Sequence, residues 1–337
     1  MGRRYHRAMR RALNVAGIVS LLAVSFAAGW VRLPYYALGP GPSRDVLTLI
    51  EVDGTPTYPG SSGHLVLTTV RFRQVTPVGG LVAWLDPEQS VVEDDVLFPP
   101  GLTPDEEERR ATSEMDQSKI DAAFVVLSRL TEYPAEHPRG ALIEQVGEGC
   151  PADRRLFPGD VIVRIGDETV DSAGEASELI DAVPPGQPIE LRVRAEGEVH
   201  AVRIERGRCP GIREPLLGIS TIEPFPVDIS IESEDVGGPS AGLMWALGLY
   251  DLLTEGDLTE GRTIAGTGTI DLEGQVGPIG GILDKVVAAR EAGADVLLVP
   301  VGNFDELAAA DRGAMRVVPV ETFDDALAAL GASATAT

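Results

Sequence analysis

Apolar and polar positions keep several different rhythms along this chain. Ala12–Val31 is a run of twenty residues without a charge, matching the ~20 that a helix needs to cross a hydrocarbon core. Gly39-Pro40-Gly41-Pro42 then breaks any helix. Asp45–Val52 and His64–Phe72 alternate or run apolar with β-branched residues, which predicts strands. Leu102–Leu130 predicts a helix, with Asp105–Glu108 in its early turns and Ile120, Phe124, Leu127 and Leu130 at helical spacing. Residues 138–206 read as a strand at Gly140–Val146, a strand at Val161–Ile165, a helix near Ala173–Val183, and strands at Ile189–Ala195 and Glu198–Glu205. Beyond Pro215 strands at Gly218–Ile222 and Val227–Glu232 precede a helix at Ser240–Leu253, a strand at Arg262–Asp271 and a helix at Gly281–Ala292. Val296–Val299, Phe304–Ala310, Met315–Val318 and Thr322–Leu330 continue strand, helix, strand, helix, and the alternation predicts an α/β domain.

Charge gives this pattern a direction. Residues 1–11 hold five arginines and no acid, whereas the 337-residue chain carries a formal net charge of −24. A basic tail before the apolar run and an acidic mass after it satisfy the positive-inside bias. The expected topology is a cytoplasmic tail at 1–11, a transmembrane helix at 12–31 that contacts the lipid bilayer, and the remainder outside a bacterial cytoplasmic membrane. Trp30, Tyr35 and Tyr36 would form an interfacial belt. A cleaved secretory signal, with Ser25 and Ala27 at the cleavage site, and a buried core helix are the other readings of the run. The acidic balance excludes nucleic acid as a partner, since binding there needs a basic footprint. Cys150 and Cys209 stand in a compartment where disulfides persist, so a disulfide is expected, with two buried free thiols as the alternative. Without a CxxC pair, and with histidines scattered at His6, His64, His137 and His200, no metal site is expected.

"RGALIEQV" at Arg139–Val146, "LFPGDVIVRIGDETV" at Leu156–Val170 and the helix that follows resemble a PDZ domain of the bacterial, protease-associated kind, here over 138–207. The resemblance implies that a peptide end adds as a strand beside the helix, its carboxylate held by backbone N–H groups. That loop maps onto Arg139, Gly140, Ala141, Leu142 and Ile143. A spacer or gate without peptide binding is the alternative.

Candidate chemistry sits further on. In Gly237-Gly238-Pro239-Ser240-Ala241-Gly242 a serine opens an apolar helix. It can simply cap that helix. Free N–H groups at a helix start can also stabilise an oxyanion formed when the hydroxyl attacks a carbonyl. None of the four histidines falls within the predicted α/β domain, so a base must be found elsewhere. Lysine occurs only at Lys119 and Lys285 among 28 basic residues. Lys285 lies on the apolar side of its helix, with Ile282, Val286 and Ala289, where desolvation would favour a neutral amine. A snorkelling surface lysine is the other reading.

"GGPSAGLMWALGLYD" at Gly237–Asp251 and "TGTIDLEGQVGPIGGILDKVVAAREAGADVLLVP" at Thr267–Pro300 resemble the proteolytic domain of the Lon protease family, S16, covering 216–333. The family uses a Ser-Lys dyad. The resemblance implies Ser240 as nucleophile, Lys285 as general base and Thr267 as the residue orienting them. Gly238, Pro239 and Ala241 then form the nucleophile and oxyanion loop. An acid often found three residues before the nucleophile is replaced by Gly237. Neither lysine stands in the Gly-Lys-Ser/Thr context of a Walker A loop, so no ATP and no cofactor is expected. The expected fold is therefore an α/β (α+β) Lon-type proteolytic domain preceded by a PDZ domain, a β-rich N-terminal region over 36–137 and one transmembrane helix. This order resembles the membrane-anchored PDZ-containing Lon-like proteases of Gram-positive bacteria, the YlbL type. It implies an endopeptidase cutting extended polypeptides, and a homo-oligomer such as a hexamer. A non-catalytic PDZ adaptor or chaperone is the competing reading.

Overall fold

The computed structural model of the chain describes residues 29–332, except 59, 60, 87, 99–102, 196 and 235. In chain order the strands and main helices begin with β1 (Tyr35–Pro40), β2 (Arg44–Asp45), β3 (Ile50–Asp53), β4 (His64–Leu67), β5 (Val70–Gln74), α1 (Pro77–Leu85), β6 (Ser90–Glu93) and α2 (Pro104–Leu130). There follow β7 (Ala141–Val146), β8 (Val161–Ile165), β9 (Glu168–Thr169), α3 (Ala173–Ala182), β10 (Pro188–Ala195), β11 (Glu198–Glu205), β12 (Ile219–Ile222) and β13 (Asp228–Ile231). The last group is α4 (Gly242–Leu253), β14 (Thr263–Gly266), β15 (Thr269–Ile270), β16 (Val276–Gly277), α5 (Ile282–Glu291), β17 (Val296–Pro300), β18 (Arg316–Val320) and α6 (Phe323–Leu330).

Two compact units result. The smaller takes the described residues up to Pro42 and Val70–Thr103. It is a three-stranded antiparallel sheet in the order β5-β1-β6 with α1 beside it. The larger takes Ser43–Thr69 and the described residues from Pro104 onward. The region expected at 36–137 thus divides between the two. The apolar run His64–Phe72 is the point of division: β4 serves one sheet and β5 another. β4 lies beside β14 in parallel register, Leu65 opposite Ile264, within the five-stranded order β18-β17-β14-β4-β2. Without β4 and β2 the apolar strand β14 would leave its backbone donors and acceptors unpaired at an edge. The α/β domain expected at 216–333 therefore also needs Ser43–Thr69.

The central helix α4 is buried from Gly242 to Asp251, which explains why its sequence is apolar on all sides rather than amphipathic. α2 packs along it, and the Trp245 indole N–H lies 3.4 Å from Met115 Sδ. α2 starts with acids, Asp105–Glu107, and ends near Arg129, as the helix dipole favours.

The second sheet of the large unit runs β11-β10-β8-β7-β12, with β9 on β8. Its core is formed by Ile143, Leu156, Ile162, Leu191, Val193 and Ile204, closed by Ala176 and Ile180 of α3. β12, expected to open the α/β domain, pairs instead with β7, so this sheet extends past 207. Cys150 and Cys209 are joined by a disulfide. It packs behind Gly218, whose φ is +79° and where a Cβ would lie 2.2 Å from that of Cys150. Only glycine fits that close approach.

The basic tail at 1–11 and nearly all of 12–31 lie outside the described residues. Among the described residues no helix is long and apolar enough to cross a membrane.

Candidate active site

Three side chains from three separate elements meet at one end of the parallel strands of the five-stranded sheet. Ser240 follows Gly238 in a single 3-10 turn, Pro239–Ala241, that leads into α4. Gly238 has φ +83°, a conformation that costs a residue with a Cβ and suits glycine. Thr267 follows the last residue of β14 and is fully buried. Lys285 lies in the first turns of α5, beside Val286, and is 3% exposed.

Lys285 Nζ is 2.7 Å from Ser240 Oγ and 2.9 Å from Thr267 Oγ1. The Thr267 hydroxyl donates to the Ser240 carbonyl at 3.0 Å, so its oxygen is left to accept from the amine. Among the described residues no carboxylate pairs with Lys285. Burial alone lowers its pKa from the ordinary 10.5 to about 8, because desolvation penalises the ammonium form. The candidate base is thus an amine that loses its proton within reach of neutral pH. Gly237, where an acid was absent from the expected pattern, abuts Ala111 of α2: a Cβ there would lie 2.9 Å from the alanine methyl.

Both peptide groups flanking Ser240 are clamped. The Pro239 carbonyl accepts from Ser118 Oγ of α2 at 3.0 Å and from the Gly242 N–H. The Ser240 carbonyl accepts from the Gly268 N–H at 2.9 Å as well as from Thr267. In a trans peptide the N–H points opposite to the carbonyl. The Ser240 and Ala241 N–H groups are therefore turned away from these anchors. Gly238 N–H donates to the Ala111 carbonyl at 2.7 Å, a further hold from α2. Ser118 is 2% exposed and was not singled out from sequence: it stands in an ordinary helical run. Only the packing of α2 on the Ser240 turn distinguishes it.

His64 corrects the expectation that the α/β domain contains no histidine. It opens β4, with Nδ1 2.7 Å from Asp45 Oδ2. It stands opposite Thr263, whereas Leu67 stands opposite Gly266, next to Thr267. That separates His64 from the Ser240 cluster by about 10 Å of strand, so it cannot serve Ser240.

Arg139, Gly140, Ala141, Leu142 and Ile143 do not form an open peptide-binding edge. Ala141 and Leu142 pair with β8, while Leu142 and Ile143 pair with β12. With both sides of β7 occupied, no third strand can add there. Arg139 is exposed and pairs with Asp171 at 3.3 Å. The unpaired edge on this side of the sheet belongs to β12. At its end the Glu223 carboxylate accepts the Ala173 N–H that opens α3, at 3.0 Å.

No group of three or more His, Cys, Asp or Glu side chains able to hold a metal occurs among the described residues.

Comparison with known proteins bears on both sheets. The Lon protease (S16) C-terminal proteolytic domain matches residues 232–331, and a PDZ domain matches residues 142–195. Lon protease of Campylobacter concisus is 39% identical over 94 residues, 27% of this chain and 11% of that protein. Lon protease of Methylocella silvestris is 44% identical over 95 residues, 27% of this chain and 12% of that protein. Lon protease 2 of Bacillus subtilis is 34% identical over 103 residues, 31% of this chain and 17% of that protein. The chain thus spans less than a fifth of the length of these curated relatives. The PDZ domain of an SdrC-like protein from Listeria innocua is similar at 22% identity, over 24% of this chain and 92% of that one, with a TM-score of 0.23. Residues 232–331 are a Lon protease C-terminal proteolytic domain and residues 142–195 a PDZ domain, and the relatives support a serine endopeptidase.

Proposed function

We propose that the chain is an ATP-independent serine endopeptidase with a Ser240–Lys285 dyad, cutting extended or unfolded exported polypeptides. The proposal includes anchoring by residues 12–31 at a bacterial cytoplasmic membrane, with the catalytic domain outside. The observation that carries the enzymatic part is the buried Lys285 amine 2.7 Å from Ser240 Oγ. In the neutral amine, one N–H donates to Thr267 Oγ1 and the lone pair accepts the Ser240 O–H. As Oγ bonds to the substrate carbonyl carbon, its proton passes to Nζ. The resulting oxyanion faces the N–H groups of Ser240 and Ala241. The ammonium returns the proton to the leaving amine as the C–N bond breaks. Water then attacks the acyl-enzyme, giving a proton to Nζ, and as the C–Oγ bond breaks Nζ passes that proton to Ser240 Oγ, releasing the acid and the free serine. On this reading chain segments enter already extended, without a nucleotide-driven motor to unfold them. Assembly into a ring such as a hexamer is part of the same reading.

A peptide end would add along β12, the edge strand of this sheet, by β-augmentation. Arg208 and Arg213 line the concavity next to Cys209, a basic surround suited to a terminal carboxylate.

Hydrolysis of a disulfide-free unfolded protein by the full chain, without nucleotide, tests the activity. Ser240→Ala should abolish it. Equal cutting by wild type and Ser240→Ala would favour the adaptor reading instead. Ser118→Ala should lower kcat about 3- to 10-fold with KM unchanged, because one hydrogen bond of about 1 kcal/mol orients the oxyanion donor rather than binding substrate. Steady-state kinetics on a peptide read both constants.

A further inference from the structure

The smaller unit carries a helix with its large apolar residues on the wrong side for a protein core. In α1, Val78, Leu81, Val82 and Leu85 recur at i, i+3, i+4 and i+7 and are 52%, 57%, 58% and 67% exposed, and Trp84 is 74% exposed. The side turned inward is small: Ala83 is fully buried, and Gly79 and Gly80 lie over Thr76 and Val75. The inner contacts are made by Ala37, Val75 and Ala83, with Leu33 and Val91. The helix is therefore firmly seated through alanine and glycine while offering an apolar stripe outward. It is capped at its start by Thr76, whose hydroxyl accepts the Gly79 N–H. Nine residues make about 13 Å of helix, far short of the roughly 30 Å of a hydrocarbon core. Such a helix can lie in a membrane interface but cannot cross it.

We propose that the outer face of α1, Val78, Leu81, Val82, Trp84 and Leu85, docks in the outer leaflet of a lipid bilayer. The occupant follows from the chain itself: the uncharged run 12–31 leads directly into this unit, β1 beginning at Tyr35. A segment inserted in lipid holds the unit within a few residues of the bilayer. The helix Pro77–Leu85 carries no charged side chain, so docking is apolar and insensitive to salt. The proposal rests on residues 12–31 being membrane-inserted, and the test separates the two.

The sequence has three tryptophans, Trp30, Trp84 and the core residue Trp245. The full chain is reconstituted in phosphatidylethanolamine–phosphatidylglycerol vesicles with acyl chains brominated near the headgroups. In Trp30→Phe, brominated lipid should remove the Trp84 share of the emission, and Leu81→Glu with Leu85→Glu in that background should restore it with unchanged circular dichroism. In Trp84→Phe, quenching of Trp30 reports the inserted segment. Quenching of Trp30 without quenching of Trp84 overturns lipid docking and leaves the anchor standing. Quenching of neither removes both. A Trp84 emission that ignores bromine but shifts with protein density overturns docking in favour of a second copy of the chain.

Discussion

Lys285→Met lowers peptide-bond hydrolysis by a factor of about 10²–10⁴ and, below pH 8, makes the fold more stable. Both effects come from one feature, an amine 3% exposed that meets two hydroxyls and, among the described residues, pairs with no carboxylate. An unfolded lysine releases its proton near 10.5, and the folded one near 8. Between those values the unfolded chain holds a proton that the native chain has lost, so stability rises with pH across that window. Below about 8 both are charged, and the native state bears the whole penalty of a buried ammonium. At about 1.4 kcal/mol per unit the penalty is about 3 kcal/mol. Methionine fills the same space without charge and removes it, less the lost contacts to Ser240 and Thr267. Denaturant midpoints should therefore favour Lys285→Met at pH 7 and lose that advantage toward pH 10.5. A variant that is inactive because it is unfolded would shift the midpoint the other way.

Asp121→Asn stabilises the large unit at pH 8 and above. Asp121, on α2, and Glu144, on β7, are each 5% exposed, and they lie where α2 touches the PDZ sheet. Glu144 Oε1 already accepts from Gln117 Nε2 at 2.7 Å, while Asp121 Oδ1 has no hydrogen-bond partner. Burial first, and then the neighbouring Glu144, push the Asp121 carboxyl up from 3.8 to about 8. Here the native chain keeps a proton that the unfolded chain has lost. Stability therefore falls as pH rises from about 4 to about 8, by about 1.4 kcal/mol for each unit of difference. Asparagine cannot ionise, so the variant lacks this part of the pH dependence, and the stability difference between the two proteins should grow by several kcal/mol from about pH 4 to about pH 8. Parallel pH curves for the two proteins would remove Asp121 as the cause.

What the sequence revealed was local. Ser240, Thr267 and Lys285 lie in two continuous blocks whose residue order survives without knowledge of the fold. The helix at 104–130 announced itself through its periodicity. Partnerships between distant strands did not, because a β-branched run specifies a strand but not its neighbour. For that reason the pairing of β4 with β14 and of β12 with β7 is not legible in the sequence. The peptide edge expected at Arg139–Ile143 fails for the same cause: sequence identifies the strand, while only pairing on both sides of β7 reveals that it is interior. Ser118 and His64 belong to this class too, one gaining significance and the other losing it through position alone. α1 is not legible in the sequence because Pro77, Gly79 and Gly80 disguise a helix whose apolar stripe points outward.

The charge state of Lys285 is the quantity on which the rest depends, and the sequence makes it measurable, since Lys119 is the only other lysine. Lysine labelled with ¹³C at Cε, followed by NMR from pH 6 to 11 with Lys119→Arg to assign the signals, reads it directly. The expected result is a Lys285 transition near 8 that coincides with the rising limb of kcat/KM. A Lys285 that stays cationic to its ordinary value near 10.5, with hydrolysis already complete below pH 8, would contradict the account.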